Sequence, residues 1–108
     1  MKACGLLLEY ENNQWTEKYV DIKEAQDILT VLQTNKKSIT QVDIDKYRKV
    51  FYSMDNLERY GSISAKIDAH EERWYMVAPL LLVECNDNEP IMLSKKVEEE
   101  IKELITLY

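Results

Sequence analysis

The scarcity of glycine and proline is the feature that most restricts how this chain can turn. It contains only two residues of each type in 108. Turns that need a positive φ must therefore fall mostly to Asn and Asp, the next most tolerant residues. The breaks between the apolar runs contain these residues, at Asn12–Asn13, Asn35, Asn56 and 86–88.

The first third of the chain predicts a hairpin followed by a helix. Residues 3–10 and the run WTEKYV alternate like strands and flank the Asn12–Asn13 break, so we expect them to pair. Asp21 and Glu24 have the spacing of a capping box. Apolar residues follow at intervals of three and four, which indicates a one-sided helix that fades by Asn35.

The middle of the chain predicts a second helix, from about Gln41 to Arg59. Thr40 and Asp43 have the spacing of a capping signal, and Gly61 would supply a left-handed stop. The apolar residues follow a helical interval: Ile44, Tyr47, Phe51, Met54 and Leu57. A short strand in the run SITQV is the alternative that this pattern leaves open.

The last third predicts three strands and a final helix. Residues 62–69 alternate, HEER is a turn, and WYMVAPLLLVEC reads as one long strand in which Pro79 marks a bulge or an edge. The run PIML would close the sheet, and Ser94 would cap the last helix. The expected buried stripe of that helix is Val97, Ile101, Leu104, Ile105 and Tyr108.

These elements give the order ββα-α-βββα and an α+β fold class. We expect a single domain over residues 1–108, with a mostly antiparallel sheet and three one-sided helices packed against it. Residues 3–34 and 76–108 both read as strand, Asn turn, short strand, cap and helix. They could be a weak ββα repeat, although the same physics produces such units without duplication.

The sequence predicts a soluble protein that stays in the cytoplasm. Its start has no signal-peptide pattern, and its longest apolar run, YMVAPLLLV, is half the length of a membrane span. Cys4 and Cys85 lie in apolar runs and have no zinc or redox spacing, which favours buried free thiols. We expect no membrane association.

The sequence offers no catalytic constellation and no cofactor site. His70 is the single histidine and lies in a polar turn, without a nearby His or Cys to share a metal. The two glycines are too far apart for a phosphate-binding loop. We therefore expect no metal and no cofactor, and we do not favour an enzyme.

The acidic residues of the last third are the strongest hint of a contact surface. Residues 67–108 carry a net charge of −6, and the run 98–100 is expected to lie on a solvated face of the last helix. Tyrosines outside the expected inward stripes add area for an interface. The candidate partner-binding residues are Glu84, Asp87, Glu89, Glu98, Glu99, Tyr52 and Tyr75.

The middle of the chain is basic, with a net charge of +3 over residues 36–66. This makes direct nucleic-acid binding an alternative, but we do not favour it. The cluster is Lys36, Lys37, Lys46, Arg48, Lys49 and Arg59. Because the aromatic residues between them fall on the apolar stripe, they are expected to serve the core.

We therefore expect a small acidic module that binds another protein: an inhibitor, an immunity-type protein or an adaptor, carried by a phage or mobile element. An enzyme or small-ligand binder, with a site assembled from Glu84, His70 and Tyr75, is the first alternative. An acidic mimic of nucleic acid is the second. Self-pairing of two copies through a sheet edge is a further alternative.

Overall fold

A computed structural model describes residues 3–27, 39–57, 61–86 and 89–108. In these residues the chain forms strands, two α-helices and one 3-10 turn. The strands are β1 Gly5–Glu11, β2 Gln14–Val20, β3 Thr40–Asp43, β4 Arg48–Tyr52, β5 Ala65–Ala69, β6 Glu72–Met76, β7 Leu80–Asn86, β8 Glu89–Ile91 and β9 Ile105–Leu107. Residues 22–27 are helical (α1), α2 is Lys95–Leu104, and the 3-10 turn is Met54–Asn56.

The described strands form two antiparallel sheets. The large sheet has the order β2-β1-β7-β4-β3, and β8 pairs with the end of β7. The small sheet has the order β6-β5-β9. The expected mostly antiparallel sheet is confirmed, and the fold class is α+β in outline with little helix.

Period-two alternation explains why the large sheet is covered on both faces. In β1 and β7, Leu6 pairs with Leu82 and Leu8 pairs with Leu80, so these four side chains point to one face. They join one buried cluster with Ile67 of the small sheet and Ile101 of α2. We call this the small-sheet face of the large sheet.

The opposite face of the large sheet carries α1, and we call it the α1 face. Leu81 and Val83 of β7 point to it and pack with Val20 and with Ala25 of α1. The expected Asp21 cap is confirmed, because Oδ1 of Asp21 accepts a hydrogen bond of 2.8 Å from the backbone N–H of Glu24. Burying both faces explains why β7 is an almost continuous apolar run.

The helix expected from Gln41 to Arg59 is wrong over residues 41–52, and Arg59 lies outside the described residues. Residues 40–43 and 48–52 are the paired strands β3 and β4. The apolar spacing that fits a helix also fits two alternating strands around a turn: Val42, Ile44, Val50 and Tyr52 are all buried. These four side chains pack in one cluster with Ala65, Ile67 and Met76 of the small sheet, where we expected helices.

Two details of the middle segment match the sequence interpretation. The alternative strand in SITQV corresponds to β3. Gly61 has a φ of +74°, and its N–H donates a hydrogen bond of 2.7 Å to the carbonyl of Leu57. Gly61 therefore has the expected left-handed conformation, although the helix that we expected it to end does not run from Gln41.

The last third differs from the expectation at two places. The long strand is divided into β6 and β7 by residues 77–79, with a cis peptide bond between Ala78 and Pro79. The final helix is capped by Ser94, whose Oγ accepts a hydrogen bond of 3.3 Å from the N–H of Val97, as expected. However, it ends at Leu104, and the chain continues as β9 along β5.

The two segments suspected of repetition have different surroundings. The hairpin β1–β2 is followed by α1 on the α1 face, whereas β7–β8 is followed by α2 on the small-sheet face. A two-fold axis perpendicular to the sheet would place both helices on one face. The segments are therefore not related by such an axis, and the duplication stays a prediction.

Candidate functional site

Glu84, the first expected contact residue, supports the start of α2. Its Oε1 accepts a hydrogen bond of 3.0 Å from the N–H of Ser94 and another of 2.9 Å from the Ser94 hydroxyl. Glu84 thereby fixes the side chain that caps the helix. This carboxylate is committed to the fold.

Glu98 does not lie on a solvated face, contrary to the expectation. It is 3% exposed, and Oε1 accepts a hydrogen bond of 2.5 Å from the hydroxyl of Tyr19. The ammonium groups of Lys95 and Lys102 lie 3.9 Å from its two carboxylate oxygens. Because its carboxylate faces these partners inside the protein, Glu98 is not exposed to contact another protein.

The other candidates do not come together in one surface. Tyr52 is 4% exposed and belongs to the core, whereas Tyr75 is 50% exposed on the small sheet. Burial raises the pKa of the Tyr52 hydroxyl, although its bond to Thr40 opposes the shift. Glu89 and Glu99 are exposed on β8 and α2, and Asp87 lies outside the described residues. The expected acidic surface is therefore reduced to scattered positions.

The β5–β6 hairpin borders an open depression of about 720 Å³. Its lining is Asp68, Ala69, His70, Glu71, Glu72, Arg73, Tyr75 and Leu104. His70 and Tyr75 thus share a depression, but Glu84 is not part of it. Arg73 Nε donates to Oδ1 of Asp68 at 2.7 Å, and this bond lowers the pKa of Asp68.

His70 also has a role in the fold. Its Nε2 is hydrogen-bonded to the main-chain oxygen of Ile44, which joins the β5–β6 turn to the β3–β4 turn. The site imagined from Glu84, His70 and Tyr75 is not assembled.

Two charges of the basic middle, those of Arg48 and Lys49, are paired with acidic side chains around the β3–β4 turn. Asp45 accepts hydrogen bonds of 2.8 Å from the backbone N–H groups of Tyr47 and Arg48, and the Arg48 guanidinium bridges Asp45 and Glu100 at 2.8 Å. Lys49 is 5% exposed and lies 3.3 Å from Asp43. Lys36, Lys37 and Arg59, also expected in this cluster, lie outside the described residues.

Both cysteines are free and buried, as expected. Burial raises the pKa of the Cys85 thiol, although the nearby Lys49 ammonium opposes the shift. A buried thiol with a raised pKa is a poor nucleophile. Cys85 is therefore a core residue.

The most specific arrangement is an aromatic group at the end of the sheet where β1 turns into β2. Tyr10 and Trp15 are opposite each other across the hairpin, and their ring centroids are 5.3 Å apart. The Trp15 indole Nε1 donates a hydrogen bond of 3.0 Å to the main-chain oxygen of Tyr108. We call Tyr10, Trp15 and Tyr108 the aromatic end.

A small cavity of about 100 Å³ opens at the aromatic end. It is lined by Tyr10, Tyr108 and residues 62–64. The N–H of Tyr108 donates a hydrogen bond of 2.9 Å to the carbonyl of Ser64, so β9 and the segment before β5 hold the two walls together. The Tyr108 side chain is nevertheless 56% exposed.

Two carboxylates flank this arrangement in sequence. Glu9 and Glu11 adjoin Tyr10 in β1, and strand alternation directs them to the opposite face of the same sheet end. Leu8 pairs with Leu80 and Arg48 pairs with Glu84, so the β3–β4 turn lies at the other end of the sheet. The aromatic end is therefore acidic and separate from the charged β3–β4 turn.

Part of the aromatic end was visible in the sequence. A two-residue turn at Asn12–Asn13 makes Tyr10 and Trp15 sit near each other on one face, and this register follows from hairpin rules alone. Tyr108 was assigned to the buried stripe of the last helix. Its place beside Trp15 depends on β9, which the helical pattern concealed.

Comparison with protein-family models, curated proteins and solved structures gives no match. Within the described ranges, no three His, Cys, Asp or Glu residues are grouped so that they could hold a metal ion. Of the helices formed by those residues, none has the length and apolarity to cross a bilayer.

Proposed function

We propose that this chain is a protein-binding module of the inhibitor, immunity-type or adaptor class and that it contacts its partner through the aromatic end. The observation that carries the proposal is the Tyr10–Trp15–Tyr108 arrangement, in which two partly buried rings pack together and the Trp15 indole is hydrogen-bonded to the main chain of the exposed Tyr108. Tyrosine and tryptophan are the residue types enriched at interface hot spots.

Rigidity is the second support for this surface. The Tyr10 and Trp15 rings are ordered before binding, because they pack on each other and the indole is anchored to the main chain of Tyr108 by a hydrogen bond. A surface that is already ordered loses little side-chain entropy when a partner binds. Such an arrangement favours a specific contact.

The alternatives have less support. An enzyme is suggested by the open depression beside His70, which combines acidic side chains with Arg73. However, Arg73 is hydrogen-bonded to Asp68, and His70 is hydrogen-bonded to the main chain of Ile44. For a nucleic-acid mimic, Glu84 and Glu98 are directed to Ser94 and Tyr19 instead of along a ridge.

The test is affinity capture from the source organism, followed by binding measurements with the purified partner. We expect wild-type chain to enrich a protein that Tyr108→Ala fails to enrich. With purified components, Tyr108→Ala should raise the Kd about tenfold or more, as for a hot-spot tyrosine.

Tyr75→Ala is the matched control, since Tyr75 is 50% exposed and Tyr108 is 56% exposed. It should retain the partner. A loss with Tyr75→Ala and not with Tyr108→Ala would overturn the assignment of the surface. Capture of only a second copy of the chain, confirmed by sedimentation, would replace a foreign partner with self-association.

A further inference from the structure

We propose that the cavity of the aromatic end takes an alkylammonium group, the head of a lysine side chain on the partner, whether methylated or not. The inference rests on the proposed function and adds to it the chemistry of the group that is recognised. It is drawn from the size of the cavity, the residues that line it and the charge around it.

The cavity has the size of one small head group. Its volume of about 100 Å³ corresponds to roughly three waters at their share of the liquid. That space is too small for a nucleotide or a peptide segment. It is enough for the end of one side chain.

The walls suit a cation. Tyr10 of β1 and Tyr108, which directly follows β9, both line the cavity. A cation within about 6 Å of the centroid of a tyrosine ring is attracted by the negative face of the ring. The polar residues of the lining are Ser62 and Ser64, a residue type whose hydroxyl oxygen can accept a hydrogen bond from an ammonium group. The Trp15 ring packs against the Tyr10 ring at a tilt and restricts its movement.

The charges around the cavity favour the same ligand. Glu9 and Glu11 make this end of the sheet acidic, and no described basic side chain lines the cavity. Lys18 and Lys66 are already paired, at 3.4 Å from Glu24 and 3.7 Å from Asp68. The chain as a whole carries a net charge of −6, which would draw a basic partner towards it.

Choline and its neutral isostere 3,3-dimethyl-1-butanol provide the test. Trp74→Phe leaves Trp15 as the single tryptophan, so the fluorescence of this variant reports on the aromatic end. We expect a saturable change with choline at constant ionic strength. The neutral alcohol should bind about tenfold more weakly, because the cation–ring attraction is missing.

Single-residue variants test whether the fluorescence change with choline comes from the cavity. Tyr108→Ala and Tyr10→Leu should each weaken choline binding about tenfold, whereas Tyr75→Ala should leave it unchanged. The indole N–H signal of Trp15 in wild-type chain, assigned by its loss in Trp15→Phe, gives a second measurement if Trp74→Phe fails to fold.

Equal binding of choline and the neutral alcohol, or no saturable response in either measurement, would overturn the cation site. These results are distinguishable from failure of the proposed function. A partner that is captured through Tyr108 while choline gives no response would leave the module intact and refute only the ammonium site.

Discussion

The hydroxyl of Tyr19 donates a hydrogen bond of 2.5 Å to Oε1 of Glu98, a side chain that is 3% exposed. The contact joins β2, at the edge of the large sheet, to the first turns of α2. Lys102 reinforces it, because its ammonium lies 2.8 Å from Glu17 on the same strand. These contacts hold α2 over β2, where few apolar side chains are available.

Tyr19→Phe is expected to lower the free energy of unfolding by about 1–3 kcal/mol, because the buried Glu98 carboxylate loses a hydrogen-bond donor. Urea denaturation followed by circular dichroism measures the change. Tyr47→Phe, at another half-exposed tyrosine, should stay within about 0.5 kcal/mol of wild type. Equal effects of the two substitutions would contradict a specific role for the Tyr19–Glu98 bond.

Tyr19 should also ionise later than an ordinary tyrosine. Its hydrogen bond to Glu98, burial and the negative charges of Glu98 and Glu17 all raise its pKa. A raised pKa in the folded chain contributes stability that is complete below about pH 10 and is lost as the pH rises through the folded value. The difference in absorbance at 295 nm between wild type and Tyr19→Phe isolates this group. A difference curve with its midpoint at or below about pH 10 would refute the shift.

Asp45 should make the fold sensitive to acid. Partial burial acts to raise its pKa, but the Arg48 side chain and the N–H groups of Tyr47 and Arg48 outweigh it, so the pKa is lowered. The stabilisation is therefore present above about pH 4 and is lost as the pH falls through the lower folded value. In Asp45→Asn we expect lower stability at pH 7 and a smaller loss on acidification. Parallel stability curves for the two proteins from pH 6 to pH 2 would exclude this contribution.

Cys85 should resist thiol reagents while the chain is folded. It is 1% exposed, and burial raises its pKa, so little thiolate is present at pH 8. Neither Cys85 nor the buried Cys4 should react with Ellman's reagent within minutes, whereas both should react in denaturant. A fast native reaction that Cys85→Ala removes and Cys4→Ala retains would show that the thiol is accessible.

Glu71→Gly is expected to stabilise the chain. Glu71 has a φ of 60° and follows His70 with a φ of 54°, in a two-residue turn where glycine is the preferred second residue. Removing the side chain relieves the left-handed strain and should add up to about 1 kcal/mol to the free energy of unfolding. Glu72→Gly, one position along in β6, is the control and should destabilise. Destabilisation by Glu71→Gly comparable to that by Glu72→Gly would contradict the turn geometry.

Local signals predicted the first hairpin and the caps of both described helices. The Asn12–Asn13 turn, the Asp21 cap and the Ser94 cap each depend on a few neighbouring residues, so the sequence contains all that determines them. Strand alternation in β5 was also visible, and Ala65 and Ile67 are buried as expected.

The prediction of a helix in the middle segment was wrong because the same run of apolar residues fits both a helical period and two strands around a turn. Ile44, Tyr47, Phe51 and Met54 fit a helix, but the turn at Asp45 converts the same run into two strands. Asp45 binds the backbone N–H groups of Tyr47 and Arg48, which is a local competitor of helix formation. Tertiary pairing then decides the outcome, since Val50 lies opposite Leu82 of β7.

The expected exposure of the candidate contact Glu98 was wrong for a different reason. Burial of a carboxylate such as Glu98 depends on which strand lies across the helix, and Tyr19 of β2 is 79 positions away in the chain. No local pattern contains that information. Tyr10 and Trp15 are the exception, because their contact depends on one short turn.

Strand β7 has a consequence for the order of events on the ribosome. It lies between β1 and β4, so residues 5–11 and 48–52 meet only through a strand that begins at Leu80. Until that strand leaves the exit tunnel, the N-terminal leucines have β2 as a lateral partner on one side only, and the other edge of β1 stays open to chaperones or to other nascent chains. A premature stop before Leu80 should therefore yield an aggregating fragment instead of a smaller folded protein.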